Sequence, residues 1–409
     1  MEYYVKSVVP IIESNYDKFT TVERNIADFF IQNRKKVDFS YQMFDKIYPA
    51  STTKIMTAIL TLENCKLDEL VTVSDNAVSL ESVPETYTRA DIQAGEILTV
   101  ENLLNVLLIP SANDAAIALA EHVSGSVSEF SNLMNKKAKE LGCKNTNFTN
   151  PSGLHDENHY TTAYDLSLIA KYCMENSIFR KFVSMKTCTI PATNKSNIRT
   201  YKNTNQLLNE SSKYYLKDCI GIKTGFTTEA QNCLISACLK DNLELISIVL
   251  GSKSTPDGDS ARYTDSIKLL DYGYSNYSFK TIAKKGDVIK TIEIKNGSSE
   301  TKSLDIILEN DLNLLTQTSS KLPEPDIKLN TILFAPIAKN TVLGKAYYNV
   351  NGTTYSVNLL ASHDVKENDM LIFILISSLA SILLIIFFVI LFFELKKRKK
   401  RKEKYDTEY

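Results

Sequence analysis

From Met370 to Phe393 the chain runs 24 residues without a charged side chain. As a helix this is about 36 Å, against a hydrocarbon core of about 30 Å. The run predicts a membrane-spanning helix over 370–393, and so separates a long leading part from a short tail, 394–409. Glu367 and Asp369 precede it, whereas residues 396–404 carry eight Lys or Arg and one Glu. Because Lys and Arg favour the cytoplasmic side, this asymmetry places the tail inside, against anionic headgroups, and the long part outside. The formal net charge of −1 hides this division. The basic charge is a local tail, so neither a nucleic-acid-binding surface nor a nucleic-acid partner is expected.

Ahead of this anchor, the stretch Pro49-Ala-Ser-Thr-Thr-Lys-Ile-Met-Thr-Ala-Ile-Leu-Thr-Leu62 reads as a core helix. Pro49 is a start signal, Ser51 or Thr52 is the predicted cap, and the residues that follow are apolar on nearly every side. Ser51 and Lys54, three apart, stack on one face. A buried ammonium next to a hydroxyl suits a base poised beside a nucleophile. Its pKa, near 10.4 in water, must fall by roughly 3 units to serve at neutral pH, a cost of about 4 kcal/mol.

Residues 1–40 differ in texture, with charges interleaved into an amphipathic repeat that includes Ile11, Ile12, Phe19, Val22, Ile26, Phe29 and Phe30. Met1–Pro10 has neither the basic start nor the apolar core of a secretory signal. The stretch from Asn15-Tyr-Asp-Lys-Phe-Thr-Thr-Val-Glu-Arg to Val37 resembles the opening of RpiR-type transcriptional regulators. It stops before a turn and recognition helix, so DNA binding is not implied. From 41 to 277 a mixed helix and strand pattern is predicted. Helical periodicity flanks the loop Ile109–Asp114, a Ser126-x-x-Glu129 capping box opens a helix ended by Gly142, and Thr162–Met174 is helical. Leu234–Ala237 and Leu243–Leu250 read as strands around a turn at Lys240–Asn242. Residues 278–363 alternate in short runs broken by Asn296-Gly297 and Asn351-Gly352, the signature of hairpins in a small all-β domain of sandwich type. The seven cysteines lack Cys-x-x-Cys spacing and read as buried free thiols. His155 and His159 sit in a loop after Pro151 and Gly153, and no metal or other cofactor is predicted.

Two further motifs give the Ser51–Lys54 pair a context. Ser111-Ala-Asn113 lies in a loop between helices, where a hydroxyl and an amide can face a cleft. Lys223-Thr224-Gly225 lies at a strand edge, where Gly225 lets the backbone come close to a ligand. Ser-x-x-Lys, Ser-x-Asn and Lys-Thr-Gly in that order mark the penicillin-binding proteins and serine β-lactamases. With Tyr48-Pro-Ala-Ser-Thr-Thr-Lys, Leu107-Leu-Ile-Pro-Ser-Ala-Asn-Asp, Asn150-Pro-Ser-Gly-Leu-His and Gly221-Ile-Lys-Thr-Gly-Phe-Thr, the chain from about Phe44 to the apolar run resembles the D-alanyl-D-alanine carboxypeptidases, the low-molecular-mass penicillin-binding proteins. The resemblance implies an α/β (α+β) fold of the β-lactamase/transpeptidase type, an antiparallel sheet with a helical cluster, followed by the β domain and anchor. It implies that Ser51 attacks the bond between the two terminal D-alanines of a peptidoglycan stem peptide, forming an acyl-enzyme. Lys54 would take the serine proton and Ser111 would relay a proton to the leaving D-alanine. Asn113 would hold the substrate amide, and Lys223, Thr224 and Arg262 would bind the terminal carboxylate beside Gly225. β-Lactam antibiotics would be covalent inhibitors, and the oxyanion would rest on the Ser51 N–H and one N–H after Gly225.

One departure sets the alternatives. In that family a signal peptide and a first strand or two precede the nucleophile helix, where this chain carries the regulator-like segment. Loss of those strands would strip the main sheet of a partner. The competing readings are a membrane-tethered penicillin-binding scaffold without turnover, a truncated or recombined gene product, and a β-lactamase.

Overall fold

The computed structural model describes residues 43–254, 261–330, 333–350 and 353–405; the RpiR-like stretch at 1–40 lies outside them. The chain divides between Ser278 and Phe279 into two compact units.

In the first unit a 3₁₀ turn, Ala50–Thr53, feeds helix α1, Lys54–Asn64. Every α1 residue from Lys54 to Thr61 is buried, as a helix without a polar face requires. Its start differs from the sequence reading, since neither Ser51 nor Thr52 caps it. The 3₁₀ turn already supplies acceptors, with Lys54 N–H reaching Ser51 O and Thr52 O, so no side-chain cap is needed. Thr52 Oγ1 instead donates to Pro49 O at 2.6 Å.

Strand β1, Leu70–Thr72, pairs antiparallel with β2, Ile97–Thr99. Helix α2, Val100–Leu108, is capped by Thr99 and leads through the 109–112 loop into α3, Asn113–Ser124, which Gly125 ends at φ +77°. Helix α4, Val127–Glu140, begins where Ser126 Oγ accepts from Glu129 N–H at 3.1 Å, at the predicted capping position. Helices α5, Ala163–Glu175, and α6, Ser177–Val183, precede a two-stranded ribbon of β3, Thr187–Ile190, and β4, Arg199–Lys202. The main sheet is antiparallel in the order β5, Cys219–Thr227, β6, Gln231–Lys240, and β7, Leu243–Ser252. Asp241 and Asn242 both take positive φ between β6 and β7, the demand of a tight two-residue hairpin turn. Helix α7, Ala261–Asn276, follows.

Alternation along β6 sends its side chains into two cores. Ile235 and Ala237 join the helical core with Ile55, Leu103 and Phe130. Leu234 and Cys238 join Leu207, Tyr214, Tyr263 and Leu270 on the α7 side. Among the described residues, β7 pairs with β6 alone.

The second unit is all-β until its last helix. A five-stranded sheet runs in the order β12, Asp326–Leu329; β13, Val342–Val350; β14, Thr353–Ala361; β10, Ser303–Leu308; β9, Val288–Glu293. A pair formed by β8, Tyr277–Ala283, and β11, Leu312–Gln317, shares its core through Ile282, Leu304, Ile306, Leu343 and Leu359. The register sets Val350 opposite Thr353; the predicted turn pair Asn351-Gly352 lies outside the described residues. Asn296-Gly297 does not close such a hairpin. It lies in the longer link between β9 and β10, where Gly297 bridges to Glu367 and Asn296 takes φ +59°, so the pair serves a local bend. Helix α8, Asp369–Tyr405, is long and apolar enough to cross a membrane, and none of its apolar window is buried in the protein. It continues as helix well past Phe393, into the basic segment.

Candidate active site

The site forms where the N-terminal ends of α1 and α3 meet strand β5. Ala50 takes a left-handed φ of +48°, an uncommon conformation for a residue with a Cβ and a frequent mark of functional sites. Ser51 follows it and is half-buried, among fully buried neighbours Ala50, Thr52, Thr53 and Lys54.

Lys54 Nζ lies 2.8 Å from Ser51 Oγ, 2.6 Å from Asn113 Oδ1 and 2.7 Å from Ser152 O. Two of these three partners are pure acceptors. A neutral amine has two N–H donors and one lone pair; donating to Asn113 and Ser152 leaves the lone pair for the Ser51 hydroxyl proton. The electrostatics run the same way. Burial, then the Lys223 cation, push the Lys54 pKa well below its ordinary value, while Asp114 opposes them. The geometry can therefore take a proton from Ser51, the requirement for a serine nucleophile.

Asn113 opens α3, and its backbone N–H donates to Thr88 O at 2.9 Å. Ser111, two residues earlier, is buried in the preceding loop with φ +73°, a second non-glycine residue held left-handed at this site.

On β5, Lys223 is buried and its Nζ donates to Thr224 O at 3.1 Å. Burial, then the Arg262 cation, bring its pKa down to about 7. Thr224 Oγ1 lies 2.6 Å from Thr204 Oγ1. Arg262, in the first turn of α7, donates from Nη1 to Gly225 O at 3.0 Å, so it sits on the Lys-Thr-Gly strand. The role of Gly225 is more specific than the sequence suggested. A Cβ there would lie 3.1 Å from Pro49 O, Ser51 N and Thr52 N, so its small size lets β5 close on the nucleophile's own backbone.

The sequence reading missed three supports. The first is the turn Asn150–Gly153, which gives Lys54 its acceptor Ser152 O and is tied to α1 by Thr57 Oγ1, donating to Pro151 O at 2.5 Å. Gly153, at φ +82°, presses on the 3₁₀ turn so closely that a Cβ would fall 1.8 Å from Ala50 O. The second is buried Asp114, which accepts from the N–H groups of Ala90 and Ala115 and whose pKa burial raises. The third is His159, whose Nδ1 accepts from Thr149 N–H at 3.1 Å while Nε2 lies 2.9 Å from Thr53 Oγ1. Its Nε2 therefore carries the proton, and burial, the dominant cause, lowers its pKa to about 4. Only the Asn-Pro-Ser-Gly turn signal was visible in sequence, and it said nothing of a carbonyl aimed at a lysine.

Among the described residues, Cys65, Glu69 and His122 offer metal-ligand atoms within 4.8 Å of one another. They lie past the opposite end of the eleven-residue α1, about 16 Å along the helix from Lys54, and take no part in the chemistry at Ser51.

The sequence matches the D-alanyl-D-alanine carboxypeptidase family, Peptidase S11, over residues 32–254, and the penicillin-binding protein 5 C-terminal domain over residues 277–367. The chain belongs to the D-alanyl-D-alanine carboxypeptidase family. It is 32% identical over 347 residues to the D-alanyl-D-alanine carboxypeptidase DacF of Bacillus subtilis, covering 83% of this chain and 85% of that protein. Against DacA of Haemophilus influenzae it is 31% identical over 329 residues, 78% of this chain and 79% of the relative. Penicillin-binding protein 5 of Haemophilus influenzae shares its fold at a TM-score of 0.57 and 30% identity, over 80% of this chain and 93% of that structure. The Streptomyces K15 DD-transpeptidase aligns at a TM-score of 0.52 and 36% identity, over 57% and 89%. The family match begins at residue 32, inside the stretch read as regulator-like and ahead of Phe44, where the resemblance was placed.

Proposed function

We propose that the protein removes the terminal D-alanine from peptidoglycan stem peptides ending in D-Ala-D-Ala, through an acyl-enzyme on Ser51. The observation that carries the reading is Lys54 Nζ, held between Ser51 Oγ, Asn113 Oδ1 and Ser152 O with its proton affinity lowered. Membership of the carboxypeptidase family supplies the substrate class.

Lys54 takes the Ser51 proton as Oγ attacks the penultimate carbonyl carbon. The oxyanion rests on the Ser51 N–H and one N–H after Gly225, donors whose value is greatest where charge develops away from water. As the C–N bond breaks, the leaving amine collects a proton by way of Ser111, and water then attacks the ester. Asn113 holds both Lys54 and the substrate amide. Protonated Lys223, with Thr224 and Arg262, receives the terminal carboxylate. A β-lactam acylates the same serine as its ring opens. Helix α8 spans the membrane with the catalytic unit on the outer face and the basic tail inside, the orientation that the cations at 396–404 favour.

The test is fluorescent-penicillin labelling of the full-length protein in detergent beside Ser51→Ala, followed by assay of D-alanine release from a peptide ending in D-Ala-D-Ala. A covalent band lost in the variant, with release by the parent enzyme, is the expected result. A stable band without release identifies a penicillin-binding scaffold, and rapid turnover of penicillin identifies a β-lactamase.

A further inference from the structure

Two of the cysteines are brought together by the sheet. Cys219 at the start of β5 stands directly opposite Cys238 near the end of β6. Leu239 N–H donates to Asp218 O at 2.9 Å, which makes 218 and 239 the hydrogen-bonded position. Cys219 and Cys238 then form the adjacent non-hydrogen-bonded pair, just before the register shifts between Cys219 and Gly221; in a regular ladder side chains so opposed approach most closely, with Cα atoms about 4.5 Å apart. That separation falls within the range of disulfides, about 4.4–6.8 Å between Cα atoms. Both thiols sit in the core beside Tyr214, Tyr263 and Leu270. The other strand cysteines have no such partner, since Cys188 faces Tyr201 and Cys233 faces Gly225.

We propose that Cys219 and Cys238 are a disulfide-forming pair, a modification site that bolts β5, the strand carrying Lys223, Thr224 and Gly225, to β6. The oxidant is of the disulfide class, a small or protein disulfide that undergoes thiol exchange. The two sulfurs are not equivalent. Their mutual hydrogen bond lowers the pKa of Cys219 and raises that of Cys238, which burial raises further. Cys219 is also the more open of the two, 8% exposed against 0%. As thiolate it attacks one sulfur of the oxidant, expelling the first thiolate and leaving a mixed disulfide. Cys238 then loses its proton to the expelled thiolate and attacks the Cys219 sulfur, expelling the second. Two cysteine thiols are oxidised to one disulfide, and the oxidant is reduced to two thiols, two electrons on each side. This inference does not depend on the substrate of Ser51.

The experiment exposes reduced, full-length protein in detergent to cystine under native conditions. It reads intact mass, the peptides of a non-reduced digest, and thermal unfolding. The expected result is a loss of about 2 Da and a cross-linked peptide pair holding 219 and 238, with a midpoint raised by about 5 °C or more, as a closed loop in the unfolded chain implies. Cys238→Ser, folded by circular dichroism, should stop at a mixed disulfide of Cys219 with one cysteine, whereas Cys143→Ser should still form the link. The proposal is overturned if both thiols of folded protein remain free to alkylation after cystine treatment and denaturation. A link joining either cysteine to a different one, or a lowered midpoint in the oxidised form, overturns it equally.

Discussion

Replacing Gly153 by alanine tests whether the Asn150–Gly153 turn sets the geometry of the nucleophile, and the structure supplies its own control. Gly153 and Gly125 have nearly the same φ, +82° and +77°. A Cβ on Gly125 meets nothing within 4 Å, while one on Gly153 would fall 1.8 Å from Ala50 O and 2.8 Å from Thr53 Oγ1. Both substitutions incur the left-handed penalty of about 1–2 kcal/mol. Only Gly153→Ala must also force its neighbours apart, by at least 1.2 Å to bring the first contact up to the 3.0 Å that real Cβ atoms respect. Overpacking of that kind adds about 1–3 kcal/mol. The atoms that must yield are the backbone before Ser51 or the carbonyl that holds Lys54, and a misplacement of about 1 Å in a reacting group can cost about 100-fold in rate. Gly153→Ala should therefore slow acylation by fluorescent penicillin about 100-fold and lower the midpoint of the first unit by about 4–20 °C. Gly125→Ala should lower it by about 2–8 °C and keep acylation within about twofold of the parent. Equal behaviour of the two variants, or parental acylation by Gly153→Ala, would refute the reasoning.

Three further outcomes follow from the same contacts. His159 has a folded pKa of about 4 against 6.5 for a free imidazole, so the unfolded chain holds more protons between those values. Stability should then fall as pH drops from about 6.5 to about 4, and His159→Gln should flatten that part of a pH series of urea melts. Lys223, at about 7 in the free enzyme, loses its charge above that pH, so kcat/KM for a carboxylate-terminated peptide should decline on the alkaline side of about 7 while a peptide amide shows no such limb. Arg262→Gln removes a donor to Gly225 O and the cation that lowers the Lys223 pKa. It should raise KM for the carboxylate substrate about tenfold, a loss within the range for a charged hydrogen bond, and move the alkaline limb to higher pH.

Ser51 and Lys54 were legible because helical turns bring side chains three apart onto one face, here in contact at 2.8 Å across the 3₁₀ turn. The hairpin at Asp241–Asn242 and the Ser126 cap were legible for the same reason, since local chemistry decides them. The long-range half of the site was not. Ser152 contributes a backbone carbonyl, which no side-chain pattern reports, and the partner it serves is 98 positions away. Asn113 was read as a substrate ligand, but its contact with Lys54 spans 59 positions and depends on two helices starting at one place. The cap expected at Ser51 or Thr52 is absent because the chain enters α1 by a 3₁₀ turn whose own carbonyls accept from Lys54 N–H, a turn against which Gly153 and Gly225 pack closely.

Helix α8 carries the final consequence. Its 37 residues measure about 55 Å, so in the proposed crossing some 25 Å would lie outside a hydrocarbon layer of about 30 Å. The six consecutive cations at 396–401 would wind around that outer part rather than line one side, since each residue turns about 100° from the last. Such a collar would meet headgroups equally at every rotation, so the helix could spin about its axis without breaking its hold. Pulling it outward is another matter, because each Lys or Arg at the bilayer centre costs about 2.5–3.5 kcal/mol. In the proposed orientation the segment would act as a swivel that resists withdrawal.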